Sequence, residues 1–147
     1  MYDTSTSSKP WRVSRQRHPA LRVQPRVLVA EDDPEMRRLV ADALRQDGYE
    51  VFEAADGNGL LVHVTAQAHT GTRFDLIISD IRMPVCSGLQ ILEALRSASW
   101  TVPVILMTAF CDDATRAKAE ALGGVLFDKP FALDDLRTAV LNLLPMA

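Results

Sequence analysis

Two short stretches, Phe74–Ser79 and Val102–Met107, are near-continuous apolar runs, and they constrain the fold more than any other feature of the chain. A strand with one face in water alternates apolar and polar residues, whereas a strand covered on both faces does not. These runs therefore predict central parallel strands between two helical layers. Val27-Leu28-Val29-Ala30 predicts a first strand, and Asp33-Pro34 follows as a helix cap and first-turn pair. Met36, Leu39, Val40, Ala43 and Leu44 recur at helical spacing until Gly48. Tyr49–Ala54 predicts a second strand and Leu60–His69 a helix. Leu89, Leu92 and Leu95 mark a third helix, Asp113–Leu122 an alanine-rich fourth, and Val125–Phe127 a short fifth strand. Leu133, Leu136, Val140, Leu143 and Leu144 close the pattern as a fifth helix before Pro145. Strands alternating with helices build βαβ units, and so a doubly wound α/β fold with a parallel five-stranded sheet.

Length and charge narrow the setting. The 147 residues suit one domain, and 48% apolar with 24% charged residues is the balance of a globular chain. No apolar stretch approaches a bilayer span, and the N-terminus lacks the apolar block of a secretory signal. Two cysteines, Cys86 and Cys111, are too few for a disulfide framework, and reduced thiols are expected on two neighbouring loops. Sixteen Lys+Arg against 19 Asp+Glu exert no pull toward nucleic acid. The expectation is a cytoplasmic chain without membrane or direct DNA binding. Residues 1–25 carry five basic side chains (Lys9, Arg12, Arg15, Arg17, Arg22) against Asp3, with three prolines and no apolar period. Such a segment is expected to be a disordered basic extension. Trp11 among the arginines is its one hint of a basic arm for an acidic partner or nucleic acid. The folded unit is expected at 26–144, and because the chain stops after the fifth helix no output domain is expected.

Ligands of open parallel sheets sit beyond the carboxyl ends of the strands. There the first strand carries Glu31-Asp32, the third Asp80, the fourth Thr108-Ala109 and the fifth Lys129-Pro130. At about 5 Å and an effective dielectric near 20, each pair of carboxylates repels by roughly 3 kcal/mol. A trio in one crevice therefore needs cations. Lys129 supplies one, and hard oxygen donors without Cys or His beside them point to Mg²⁺ as the second. A metal-bound carboxylate beside an ammonium and a hydroxyl suits phosphoryl transfer. Asp80 is the plausible nucleophile, Glu31 and Asp32 metal ligands, Thr108 a hydrogen-bond donor to the transferred group, and Ala109 the small neighbour that leaves it room.

The stretch Val27–Pro34 with Glu31-Asp32-Asp33, then Asp80-Ile81-Arg82-Met83-Pro84 with Gly88, then Thr108-Ala109, then Lys129-Pro130-Phe131, resembles the receiver domain of two-component response regulators. The resemblance implies a (βα)5 flavodoxin-like fold with strand order 2-1-3-4-5. It also implies phosphorylation of Asp80 by a sensor histidine kinase or histidine phosphotransfer protein. Mg²⁺ would be held by Glu31, Asp32, Asp80 and the Arg82 backbone carbonyl, and Lys129-Pro130 would be cis. Thr108 would shift toward the phosphoryl group and couple to the surface of the fourth helix, fifth strand and fifth helix. Arg82 and Phe110 would flank the path of attacking water. Three departures stand out. The family's aromatic three residues before the lysine is Leu126 here, with Phe127 next door; Ser87 replaces an Asp; and the Gly123-Gly124 region is about one residue short.

Blander readings exist for several of these residues. Asp33 reads as a helix cap alone, and His18, His63 and His69 share no ligand spacing and are expected to face solvent. The alanine stripe of the fourth helix reads either as thin packing or as a docking face. The leading expectation is a single-domain response regulator whose output is an unknown protein target, with a homodimer possible. The alternatives are an interaction module not controlled by phosphorylation, and a phosphohydrolase with an aspartyl-phosphate intermediate. Enzymes of the latter kind often carry an acid two residues after the nucleophile, where this chain has Arg82.

Overall fold

The computed structural model describes residues 24–71 and 73–146. The chain alternates β1 (Arg26–Ala30), α1 (Pro34–Gln46), β2 (Glu50–Ala54), α2 (Gly57–Thr70), β3 (Leu76–Asp80), α3 (Gly88–Ser97), β4 (Val104–Thr108), α4 (Asp113–Ala121), β5 (Val125–Asp128) and α5 (Leu133–Leu143). All five strands pair in parallel in the order β2-β1-β3-β4-β5. This is the five-stranded doubly wound arrangement expected, with β3 at the centre between β1 and β4. The reading of residues 1–25 as a disordered extension falls, for positions 1–23, outside the described residues.

Alternation along each strand sorts the core into two layers. Val27, Val29, Leu76, Ile78, Ile105 and Met107 face α1 and α5, packing on Val40, Leu44, Leu136 and Val140. Leu28, Ala30, Ile77, Val104 and Leu106 face the other way, onto Leu60, Ile91, Leu92, Leu95 and Ala119 of α2, α3 and α4. Every residue of β3 and β4 is buried, which is why those runs lack alternation. Each fully buried Leu or Ile contributes about 2 kcal/mol by leaving water. Among the described residues no helix is long and apolar enough to cross a membrane.

Several boundaries differ from those read in the sequence. The apolar runs place β3 and β4 about two residues early, because Phe74 and Val102 are drawn inward from the connecting turns rather than paired in the sheet. Tyr49 precedes β2; its buried ring sends a hydroxyl hydrogen bond to the Leu144 carbonyl, 2.7 Å. α2 begins at Gly57 instead of Leu60, since Asp56 caps it by accepting from the Gly59 amide, 2.8 Å. His63 does not face solvent freely: its half-buried ring packs edge-on against Phe52 and Phe74. His69 is exposed, and His18 lies outside the described residues. Of the α4 alanines only Ala119 is buried, so thin packing accounts for that residue alone.

Candidate functional site

Parallel strands point their carboxyl ends the same way, so β1, β3, β4 and β5 deliver their last residues to one rim. Glu31 follows β1, Asp80 ends β3, Thr108 ends β4 and Lys129 follows β5. Lys129 joins two of them: its Nζ donates to Glu31 Oε1 at 2.6 Å and to Asp80 Oδ2 at 2.8 Å. Each carboxylate accepts a second hydrogen bond from an amide two residues downstream. Glu31 Oε2 accepts from Asp33 N at 3.1 Å, and Asp80 Oδ1 from Arg82 N at 3.1 Å. Both acids are therefore held from two sides.

Electrostatics are severe here. Only 1% of the Glu31 side chain is exposed, and burial pushes its carboxyl above the ordinary range, with the Lys129 hydrogen bond pulling the other way. Burial works against the Lys129 ammonium, but its hydrogen bonds to Asp80 and Glu31 outweigh that and raise it. Asp32 is exposed at the mouth, and one carboxylate oxygen from each of Glu31, Asp32 and Asp80 lies within 4.8 Å of the others. Three acids against one ammonium leave negative charge facing outward. All the donors are hard oxygens, a set that fits Mg²⁺.

The rest of the rim is built around these acids. Gly88 opens α3 so close to β3 that a Cβ there would meet the Asp80 carbonyl at 2.6 Å. The peptide Lys129-Pro130 is cis, as the resemblance implies, and Lys129 N donates to the Thr108 carbonyl at 2.7 Å. Thr108 is buried, and its hydroxyl donates to the Phe110 carbonyl at 2.6 Å while accepting from the Phe110 amide. Ala109 is exposed beside it. The Phe110 ring, 64% exposed, has the Arg82 guanidinium 5.4 Å from its centroid. Phe127 packs edge-on against Phe131 on the α1–α5 side, while Leu126 packs on the side of Leu106. Strand alternation puts Thr108 on the Leu106 side, so no aromatic of β5 shares its face. Cys86 and Cys111 are free, and burial raises the Cys86 thiol.

Two parts of the rim escape sequence reasoning. Arg37 donates to the Glu31 carbonyl at 2.8 Å and to Glu53 at 3.2 Å, fastening the acidic loop from α1. A cation in a helix's first turn opposes the helix dipole, and that anomaly is the one signal that it has a tertiary partner. Gly57 is the other: its amide donates to the Pro84 carbonyl at 3.1 Å, and a Cβ on it would meet Cys86 backbone atoms at 2.2 and 2.3 Å. The β3–α3 loop is thus seated on the first turn of α2.

Comparison with known proteins shows the family. The family profile described as the response regulator receiver domain matches residues 27–141. Regulatory protein AtoC of Escherichia coli (strain K12) is 36% identical over 124 residues, covering 82% of this chain and 25% of its own length. The chain thus spans about a quarter of that relative. Sporulation initiation phosphotransferase F of Bacillus subtilis (strain 168) is 31% identical over 122 residues, 82% of this chain and 94% of its own. Among solved structures, the response regulator protein TrrA of Thermotoga maritima in complex with Mg²⁺-BeF is similar with a TM-score of 0.69 and 30% identity. That match covers 82% of this chain and all of TrrA.

Proposed function

The chain belongs to the response regulator receiver domain family, and we propose that it acts as a response regulator receiver with Asp80 as phosphoacceptor. The donor is the phosphohistidine of a sensor histidine kinase or histidine phosphotransfer protein, and the output is contact with a downstream protein in the cytoplasm. The observation that carries this reading is the Asp80 carboxylate at the end of β3. It is oriented by Lys129 and the Arg82 amide and lies beside the acids Glu31 and Asp32.

Lys129 and the Arg82 amide fix the Asp80 carboxylate, so little reorganisation separates the resting carboxylate from the attacking one. As the Asp80 oxygen–phosphorus bond forms, the phosphorus–nitrogen bond to the donor histidine breaks, and its electron pair stays on the imidazole. Glu31, Asp32, Asp80 and the Arg82 carbonyl are the groups that would hold Mg²⁺. The bound ion supplies charge neutralisation on the transferred group. Lys129 contributes the fixed ammonium next to the new phosphoryl oxygens. Thr108 must give up the Phe110 carbonyl to donate to one of them, which ties the β4–α4 loop to the modification. Ala109 leaves the space those oxygens need. The chemistry of the chain is its own phosphorylation and dephosphorylation.

Intact-mass measurement after incubation with acetyl phosphate and Mg²⁺ tests this. The wild type is expected to gain one phosphoryl group and Asp80→Asn none. A wild type that gains no mass, or an Asp80→Asn chain that gains it equally, overturns the assignment.

A further inference from the structure

We infer that Arg37 is a positioning residue of the acidic site: its guanidinium fixes the backbone that aims Asp32, and so sets how tightly the site holds Mg²⁺. The inference rests on the metal reading proposed above and adds to it a residue outside the ligand set. Lys129 grips Glu31 and Asp80, whereas Asp32 is exposed at the mouth. The aim of Asp32 is therefore set by its backbone. Both peptides that flank it are pinned. The carbonyl of the Glu31–Asp32 peptide accepts from Arg37 Nη1 at 2.8 Å, and the amide of the Asp32–Asp33 peptide donates to Glu31 Oε2 at 3.1 Å. The Arg37 amide also donates to the Asp33 carbonyl at 2.9 Å. One residue of α1 thus bonds the carbonyls on either side of Asp32. A residue has two soft dihedrals, and with both flanking peptide planes fixed the direction of its side chain is fixed too.

The guanidinium is itself anchored. Its Nε donates to Glu53 Oε1 of β2 at 3.2 Å, and Arg45, about two helical turns further along α1, holds the other Glu53 oxygen at 3.0 Å. The Glu31 amide donates to the Ala54 carbonyl at 3.0 Å, so main chain and side chain alike fasten the acidic loop to the end of β2. The Arg37 side chain is only 17% exposed, and its planar fork reaches two acceptors on separate segments, which a point charge does not. Arg38, exposed on the same turn, is the contrasting case. Groups that orient a metal's ligands commonly alter affinity about 10- to 100-fold. The sign of the effect separates this role from plain electrostatics. Arg37 brings positive charge to an anionic site, so on charge alone its removal tightens cation binding. Loss of positioning weakens it.

Isothermal titration calorimetry of Mg²⁺ into the full chain, well below the melting temperature of each variant, tests the inference. A merely structural role lowers stability there and leaves the Kd of the folded protein unchanged. Arg37→Met is expected to raise Kd about tenfold or more. Arg37→Lys, which keeps the charge and loses the fork, is expected to raise it as well. Arg38→Met removes the same charge from the exposed neighbouring position and is expected to leave Kd unchanged or lower it. Far-UV circular dichroism identifies the variants that keep the fold, and Arg37→Lys carries the test should Arg37→Met lose it. A folded Arg37 variant with the wild-type Kd or a lower one overturns the inference, as does an equal weakening in Arg38→Met. Loss of the fold in both Arg37 variants also overturns it, Arg37 then being structural. A wild type that takes up no Mg²⁺ overturns the metal reading as well, which tells the two failures apart.

Discussion

Val85 has a φ of 76°, a left-handed backbone that a β-branched residue rarely adopts. The Cys86 amide donates to the Pro84 carbonyl at 2.9 Å, closing a three-residue turn around it, and the Val85 side chain is 77% exposed. Strain of this kind costs about 1–3 kcal/mol, and nothing buried is lost on removing the side chain. Val85→Gly is therefore expected to stabilise the protein by about 1 kcal/mol, the relief of strain exceeding the added chain entropy. Urea unfolding at unchanged m-value reads this, and a lower midpoint would contradict it. Phe110 stands on the same rim. Its ring leans on Arg82 beside the Asp80 crevice. A cation–π contact at an exposed site is worth about 0.5–1 kcal/mol, so if the pair screens attacking water, Phe110→Ala should speed loss of the phosphoryl group about two- to fivefold. A decay rate equal to wild type removes Phe110 from that role.

At the scale of elements, the helices are joined through their ends. Arg96 of α3 donates to the carbonyls of Leu122, Trp100 and Val102, tying the end of α4 and the approach to β4 to one guanidinium. Asp47, which caps α1, receives a two-pronged hydrogen bond from Arg137 of α5 at 2.6 and 2.9 Å. The Arg137 hydrogen bond holds the Asp47 carboxyl below its ordinary range, against a smaller opposing effect of burial. A carboxyl lowered by folding lends stability that is complete above its unfolded pKa and is lost as pH falls through the folded value. Asp47→Asn should thus lower the melting temperature at pH 7. The difference from wild type should shrink as pH is taken down through and below about 4. A gap that stays constant down to acid pH would show that the ion pair is not its source.

For the whole molecule, the sheet brings Glu31, Asp32 and Asp80 together from positions up to 49 residues apart, with Lys129 arriving from the far end of the domain. The folded crevice concentrates negative charge, and the unfolded chain does not. A cation that binds only the folded state stabilises it by mass action, about 2.7 kcal/mol at a hundredfold excess over Kd. Mg²⁺ is accordingly expected to raise the melting temperature by about 5 °C or more, and a chelator to reverse it. Asp32→Ala should lose the response while keeping the fold, because Asp32 is exposed. A response that persists in Asp32→Ala moves the ion elsewhere.

Much of this was legible in advance, because hydrophobic patterning and strand-end chemistry are local properties. The apolar runs of β3 and β4 require cover on both faces, and acids, a threonine and a lysine after successive parallel strands must share one rim. The start of α2 was hidden, since Asp56 caps it through two glycines that read as loop. Arg37 and Gly57 were hidden for another reason: Arg37 reaches the Glu31 carbonyl and the Glu53 carboxylate across the fold, and Gly57 meets the Pro84–Cys86 backbone, contacts that no local side-chain pattern reports. The order of residues along the chain thus determined which groups stand at the carboxyl ends of the strands. Only the packed sheet decided their spacing, the two-sided grip on Asp80 and the turn of the Thr108 hydroxyl toward Phe110. Those depend on distances between segments far apart in sequence, which exist only once the core has closed.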